Sequence, residues 1–332
     1  MWVLSSFCFV VEGGHGLNSS LGILWQACPG GARILRVFGD SPCPALPVQI
    51  EGFPVVEIGP YCFAEKPVRP GAQCTGTGTH EITGNFVEEV TLPDTVRVLH
   101  SAAFYNCRKL KKLSVGTRIS GIGSDEFMND SQLEHLIIRG KDSEATGLPL
   151  ILERIAENIT VSFCPDSSSS PESIVFFPEY YEWLDEISPA HIFSRSIHGE
   201  GFRMRKSFEN GILNYRKYDS CLENALTVES PESLCKIALN RLRWPSRLED
   251  IFREKYENVI KKYMGTAFTL AVKDQDFPML QFICEHFSPD ASALASAIDQ
   301  CIEKEWGEGN AFLIEAKHKS FSKKTFDFDL DF

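Results

Sequence analysis

The chain has 332 residues, enough for two domains that each bury a core of their own. A hydrophobic content of 43% with 23% charged residues excludes a wholly disordered chain. The formal net charge of −12 argues against nucleic acid as a partner, because phosphate backbones are bound by a basic face.

The first ten residues are apolar, but no Lys or Arg precedes Arg33. A secretory signal begins with positive charge, so this segment does not match one. The sequence contains no run of about 18 apolar residues, the length that a membrane-spanning helix requires. We therefore expect no membrane span and a cytoplasmic location. An exported surface-binding protein is the alternative, if a signal lies upstream.

The eleven cysteines are scattered and include no Cys-x-x-Cys pair, which argues against a zinc ribbon or a thioredoxin-type site. Several of them, such as Cys107, Cys235 and Cys284, stand where a small apolar residue would fit. We predict buried free thiols rather than disulfides, and we predict no metal and no cofactor.

Residues 86–138 contain an internal repeat with a period of 23 residues. Apolar residues recur in six columns: Val87/Leu110/Leu133, Val90/Leu113/Leu136, Leu92/Val115/Ile138, Val96/Ile119, Leu99/Ile122 and Phe104/Phe127. A single unit cannot cover its own apolar face, so the units are expected to stack into a solenoid. Asn106 and Asn129 follow the phenylalanine column and are expected to end a short helical turn.

An earlier unit covers residues 46–63 and ends on Phe63, in the same column as Phe104. These two phenylalanines are 41 residues apart, which is one period plus 18 residues. The excess falls in residues 67–85, which are rich in Gly, Thr and Pro. This composition predicts a loop inserted into the solenoid.

The repeat resembles the BspA-type leucine-rich repeats of bacteria. The resemblance rests on an apolar strand followed by Leu-Pro-Asp-x-Val, Ile-Gly and Ala-Phe-Tyr-Asn-Cys, and on the Ile-x-Gly-x-Pro-Val-x-x-Ile-Gly run that begins at Ile50. It covers residues 33–160 and implies a curved solenoid that binds proteins or surfaces. The departures are the small number of repeats and the interruption of one of them.

The strands of such a solenoid present alternate side chains to a concave face, where leucine-rich repeats usually bind partners. The residues predicted for this partner-binding face are Glu89, Thr91, Lys112, Ser114, His135, Ile137 and Arg139. The composition is mixed and lacks a concentration of aromatic residues or Arg. An ordinary solvated sheet face is therefore the alternative interpretation.

The second half of the chain has a different pattern. Residues 166–173 are Ser-rich and predict a linker. Helical patterns follow at 179–187, 219–228, 231–244 and 247–264, and then as two loosely similar helix pairs between 265 and 321. These pairs suggest an α-solenoid, with a weak resemblance to ankyrin-type units. Asn210-Gly211 predicts the turn of a β-hairpin near 202–218.

One segment is a candidate for chemistry. Between His191 and Arg205 lie two histidines, three arginines and two glycines that would be suited to an anion. The predicted ligand-binding residues are His198, Arg203 and Arg205. Alternating arginines are equally typical of the solvent face of a strand. Phosphate-loop, zinc-protease and nucleophile-elbow motifs are absent from the sequence.

Together these patterns predict an α+β protein. A leucine-rich-repeat domain with an N-terminal cap would cover 1–165, and a mainly helical domain would cover 174–332. The functional prediction is a protein-binding or scaffolding protein of bacterial, intracellular origin, with a protein partner and no catalytic activity. The alternative is a hydrolase or transferase with an anion site around His191 to Arg205.

Overall fold

The computed structural model describes residues 21–66, 80–165, 170–187 and 192–324. The chain divides into two compact units, and the boundary between them lies between Cys221 and Leu222. Within the described residues, the strands all belong to the first unit, and the second unit consists of helices.

The strands, in chain order, are β1 (Gly22–Cys28), β2 (Gly31–Phe38), β3 (Gln49–Ile50), β4 (Phe53–Ile58), β5 (Glu89–Thr91), β6 (Val98–Leu99), β7 (Lys112–Gly116), β8 (Gly121–Ile122), β9 (His135–Arg139), β10 (Ile159–Phe163), β11 (Ser173–Phe177), β12 (Tyr181–Ile187), β13 (Ile192–His198), β14 (Phe208–Glu209) and β15 (Ile212–Leu213). The helices of the first unit are α1 (Leu148–Leu152), α2 (Gly201–Met204) and α3 (Tyr215–Ser220). The helices of the second unit are α4 (Leu222–Val228), α5 (Pro231–Arg243), α6 (Asp250–Lys262), α7 (Met264–Lys273), α8 (Phe277–Phe287), α9 (Ala291–Glu303) and α10 (Gly307–Lys324).

The first unit is a β-solenoid of about five turns with two main sheets. Strands β2, β4, β6 and β8 are parallel in one sheet, which β1 extends as an antiparallel strand. Strands β5, β7, β9 and β10 are parallel in the other, which β11 extends as an antiparallel strand. The predicted α+β fold class and the solenoid are confirmed.

Stacking places residues of one sequence column side by side. Phe63, Phe104 and Phe127 are buried, and their rings stack at centroid distances of 5.0 and 5.6 Å. Asn106 and Asn129 have φ angles of 62° and 68°, the left-handed conformation that Asn tolerates. Asn129 Nδ2 donates to Asn106 Oδ1 at 2.7 Å, so this column also pairs from repeat to repeat.

Arg36 holds both ends of the predicted inserted loop. Its side chain is 1% exposed and donates to the carbonyl of Ala64 at 2.6 Å and to the carbonyl of Lys66. Its Nε lies 3.7 Å from Glu81, where the chain returns. Residues 67–79 of the loop lie outside the described residues. The return segment is fixed by a hydrogen bond from the Ile82 N–H to the β2 backbone at 2.9 Å.

Residues 42–46 cover one edge of the second main sheet. The Thr91 N–H donates to the Pro44 carbonyl at 3.0 Å, and the Leu46 N–H donates to the Thr91 carbonyl at 2.8 Å. A covered edge protects β5 from pairing with another chain.

Helix α3 covers the other edge of the same sheet. The Tyr218 hydroxyl donates to the Phe176 carbonyl at 2.5 Å and lies 3.2 Å from the Phe176 N–H, which donates to it. The Tyr215 hydroxyl lies 2.6 Å from Ser173 Oγ and donates to Asp142 at 2.8 Å. Tyr218 thus pairs with the backbone of Phe176 on β11, and Tyr215 pairs with the side chain of Ser173 on the same strand.

These contacts explain why the first compact unit continues to Cys221 rather than ending in the predicted linker at 166–173. Strand β11 pairs with β10 over five residues, and α3 then covers β11. Residues 174–221 are therefore part of the solenoid unit and not of the helical unit.

One local prediction in this stretch is wrong, and another is confirmed with shorter strands than expected. Residues 179–187 were expected to be helical, but 181–187 form β12, which pairs with β13 over seven residue pairs. Aromatic residues at alternate positions favour a strand. The hairpin turn at Asn210 and Gly211 is present, with φ angles of 51° and 80°. Its strands β14 and β15 are only two residues long, because α2 and α3 take up the flanking residues.

The second unit is a stack of helix pairs. Helices α5, α7 and α9 pack in a row, and each also contacts the helix that follows it. Ser230, Asp276 and Asp290 cap three of the helices by accepting hydrogen bonds from backbone N–H groups. This is the solenoid-like arrangement that the helix pairs in the sequence predicted. Among the described residues, no helix has the length and apolar character needed to cross a membrane.

Candidate interaction face

The residues predicted to bind a partner lie on one face of the sheet that contains β5, β7 and β9. We call this surface the strand face; it comprises Glu89, Thr91, Lys112, Ser114, His135, Ile137 and Arg139. Glu89, Lys112 and His135 form one row across the sheet, and Thr91, Ser114 and Ile137 form the next. The residues between these rows, Val90, Leu113 and Leu136, are buried in the core, as strand alternation requires.

The charged residues of the strand face are tied to neighbouring repeats. Lys112 Nζ lies 3.0 Å from both carboxylate oxygens of Glu89. Arg139 Nε donates to Asp94 Oδ1 at 2.8 Å, and its other nitrogens donate to Ser114 Oγ at 2.5 Å and to the Leu92 carbonyl. Arg139 therefore spans two repeats.

Exposure differs among the predicted residues. Thr91 and His135 are exposed, whereas Glu89, Lys112, Ile137 and Arg139 are partly buried. Ser114 is only 7% exposed, because it lies beneath the guanidinium of Arg139. Ser114 thus serves to hold Arg139 rather than to meet a partner directly.

Sequence reasoning missed three residues of this surface. Asp94 lies in the turn after β5 and accepts from Arg139, and its side chain is 67% exposed. Thr160 and Ser162 continue the two rows on β10, where they pair with His135 and Ile137. Thr160 follows His135 by 25 residues rather than 23, so the fixed period did not find it.

A second charged cluster lies on the sheet that contains β2, β4 and β6. Glu57 Oε2 lies 2.5 Å from Arg33 Nε and 2.8 Å from His100 Nε2. Burial acts to raise the pKa of Glu57, but the hydrogen bonds from His100 and Arg33 outweigh it and hold the pKa below its ordinary value. The cluster joins three turns of the solenoid. Within the described residues, no three His, Cys, Asp or Glu side chains are grouped so as to hold a metal ion.

The predicted anion-binding residues do not share a site. His198 is exposed on β13, and its ring stacks on Tyr181 at a centroid distance of 5.0 Å. The side chain of Arg203 is 63% exposed and lies 3.4 Å from Glu200. A cavity of about 260 Å³ beside Arg205 is lined by neither of them. His191 lies outside the described residues.

Arg205 has a structural role. It is 4% exposed and donates to the carbonyls of Pro178 at 2.5 Å, Gly201 at 3.0 Å and Glu157 at 2.6 Å. The alternative interpretation, in which Arg203 and Arg205 lie on the solvent face of a strand, is wrong because residues 201–204 are helical. Helix α2 instead directs Arg203 to solvent and Arg205 into the protein.

The nine cysteines within the described residues are free thiols. Cys107 and Cys235 are buried as predicted, while Cys284 is partly exposed. Burial raises the pKa of Cys62, Cys235 and Cys284 to about 12. These thiols are therefore protonated at neutral pH and act as small apolar side chains.

Part of the first unit matches a known repeat family. Residues 78–146 match the family described as BspA type leucine rich repeat region (6 copies). A crystal structure of a leucine-rich repeat protein from T. pallidum matches at 21% identity over 38% of this chain and 73% of that chain, with a TM-score of 0.22. No curated protein matches. Residues 78–146 are therefore a BspA-type leucine-rich repeat region, set within a longer β-solenoid.

Proposed function

We propose that the protein is a protein-binding or scaffolding protein and that the strand face is its binding surface. The match to a BspA-type leucine-rich repeat region supports a role in protein interaction. The observation that carries the proposal is the register of β5, β7 and β9, which brings residues from three repeats into two continuous rows.

The strand face is held in place before a partner arrives. The Lys112–Glu89 and Arg139–Asp94 pairs join adjacent or alternate repeats, so the orientation of each charge is set by the solenoid. A surface that is already ordered loses less conformational entropy on binding. Its mixture of both charge signs, a hydroxyl and a half-buried isoleucine suits a protein partner better than a uniformly charged polymer.

We expect the exposed residues Thr91 and His135 to contribute most to binding. Partners would be captured by crosslinking to the full chain in an extract of the source organism, then purified and titrated by calorimetry. The substitutions Thr91→Arg and His135→Glu should each weaken binding about tenfold, because they place bulk or charge in the two rows.

The matched control is Arg108→Glu, which changes an exposed residue outside the strand face. It should leave the affinity unchanged. Equal affinity for wild type and both strand-face variants would show that the partner binds elsewhere. No observation favours the alternative of a hydrolase or transferase, since Arg205 is bound to backbone carbonyls.

We also propose that the protein acts in a reducing compartment such as the cytoplasm. The support is the set of nine free cysteines among the described residues, several of them buried. Cell fractionation tests this directly, and recovery of the protein from the cell surface would contradict it.

A further inference from the structure

A groove of about 530 Å³ lies on the turns that follow β4, β6 and β8, and none of the residues that line it belongs to the strand face. We call it the ridge groove. It is lined by Tyr61, Ala64, Glu65, Lys66, Ala102, Tyr105, Asn106, Asp125 and Met128. The volume is within the range of ligand-binding clefts.

The groove arises from a change of residue size within two columns of the repeat. Tyr61, Ala102 and Asp125 are equivalent residues in three successive units, and all have φ near 57–59°. In the column three positions later, the equivalent residues of the same three units are Ala64, Tyr105 and Met128. The two alanines are 4% and 1% exposed and form the floor.

The walls of the groove combine an aromatic surface with carboxylates. Tyr61 and Tyr105 are partly exposed, and Met128 is 50% exposed. Glu65 and Asp125 are exposed at its rim. The side chain of Glu65 lies against Gly84, where an added Cβ would come within 2.2 Å of Oε1. Aromatic faces with nearby carboxylates attract cations.

The protein already places a cation in this groove. Lys66 Nζ lies 3.8 Å from the ring centroid of Tyr61. A distance of less than about 6 Å over the ring face is the geometry of a cation–π interaction. The ring face of Tyr61 is thus able to accept an ammonium group, and Lys66 occupies it when no partner is bound.

From these observations we propose that the ridge groove binds a lysine or arginine side chain of a protein partner, and that Lys66 is the internal competitor that the partner's cation displaces. The groove is a second contact surface, and the proposal does not depend on the strand face.

The test uses the full chain labelled with ¹³C at its methionine methyl groups, of which the chain has five. Met128 lines the groove, so its methyl resonance, assigned with Met128→Leu, reports on occupancy. The probes are the N-acetyl methylamides of lysine, arginine and norleucine; norleucine has nearly the shape of lysine without its charge. We expect a saturable shift of the Met128 resonance with lysine or arginine and at least fivefold weaker binding of norleucine.

Three variants test the individual residues. Lys66→Met should tighten binding of the cationic probes about two- to fivefold, the range expected for an exposed cation–π contact. Asp125→Asn should weaken it by a similar factor, and Asn keeps the left-handed backbone at this position. Asp94→Asn on the strand face is the matched control and should have no effect.

Norleucine binding as tightly as lysine would overturn the proposal, because the groove would then be an apolar site. A Lys66→Met variant with unchanged or weaker affinity would overturn the role of Lys66 as a competitor. The absence of any Met128 shift with all three probes would show that the groove binds no such side chain. The variants Thr91→Arg and His135→Glu separate the two surfaces, since they should not change the Met128 titration.

Discussion

At the scale of single residues, Glu126 and Asp130 interrupt the apolar columns of the solenoid. Their equivalents one repeat earlier are Ala103 and Cys107. Glu126 is 0% exposed and Asp130 is 6% exposed, so both carboxyl groups are buried. Burial raises the pKa of each group to about 8, and the proximity of Asp130 adds to the shift of Glu126.

These shifts predict that the first unit loses stability as pH rises. In the unfolded chain such carboxyls ionise near pH 4, whereas in the folded protein Glu126 and Asp130 stay protonated until about pH 8. Their contribution to the free energy of unfolding is therefore fully present below about pH 4 and is lost between pH 4 and pH 8. For each proton that the folded protein retains and the unfolded chain has lost, the free energy of unfolding falls by roughly 1.4 kcal/mol per pH unit. Urea unfolding at a series of pH values measures it.

The variant Glu126→Ala isolates this effect, because alanine is the residue of the preceding repeat at this position. It should flatten the decline and make the protein more stable than wild type at pH 8. Glu134→Gln, at an exposed position, is the control and should leave the profile unchanged. An unchanged slope in Glu126→Ala would show that Glu126 does not titrate in this range.

At the scale of elements, the stability of the solenoid depends on its covered edges. The hydroxyl of Tyr218 serves both the carbonyl and the N–H of Phe176 on β11. Tyr218→Phe leaves both backbone groups buried without this partner. We expect a loss of roughly 1–3 kcal/mol in the free energy of unfolding, the cost of removing one partner from a buried hydrogen bond. Tyr181→Phe, at a residue that is 57% exposed, should change stability by less than about 0.5 kcal/mol.

Two glycines provide a second matched pair. Gly211 has φ 80°, and an added Cβ would lie 2.8 Å from the Thr146 carbonyl oxygen. Gly211→Ala should therefore destabilise the first unit by roughly 1 kcal/mol or more. Gly265 lies in α7 with open space around it, so Gly265→Ala should stabilise the second unit by about 0.5–1 kcal/mol. Thermal unfolding with calorimetry would show opposite shifts; equal shifts would contradict this account of the Gly211 turn.

At the scale of the whole molecule, the boundary between the compact units determines which fragments fold. A fragment of residues 1–221 retains β11 and α3 and should unfold cooperatively. A fragment of residues 1–172 ends at the predicted linker and leaves the edge of β10 uncovered, so it should aggregate or unfold at a lower temperature. Circular dichroism melts of both fragments test this. Equal melting temperatures would place the true end of the unit near residue 170.

Much of the solenoid was predictable because its order is one-dimensional. Residues 23 apart in sequence become neighbours in space, so the spacing of Val90, Leu113 and Leu136 predicted both the core column and the strand face beside it. The same rule failed at Thr160, because Thr160 pairs with His135 at a spacing two residues longer than the period. It also failed at Ser114, whose burial depends on the path of Arg139 across the sheet.

The sequence by itself determined the repeat, the fold class and the identity of the strand face, since periodic contacts follow from periodic residues. Only the tertiary structure decided where the solenoid ends and that Arg205 is buried against backbone carbonyls. Tyr218 reaches Phe176 across 42 residues, and Arg205 reaches Glu157 across 48. Such contacts follow no period, because they depend on how the segment after β13 folds back onto β11 and the residues beside it.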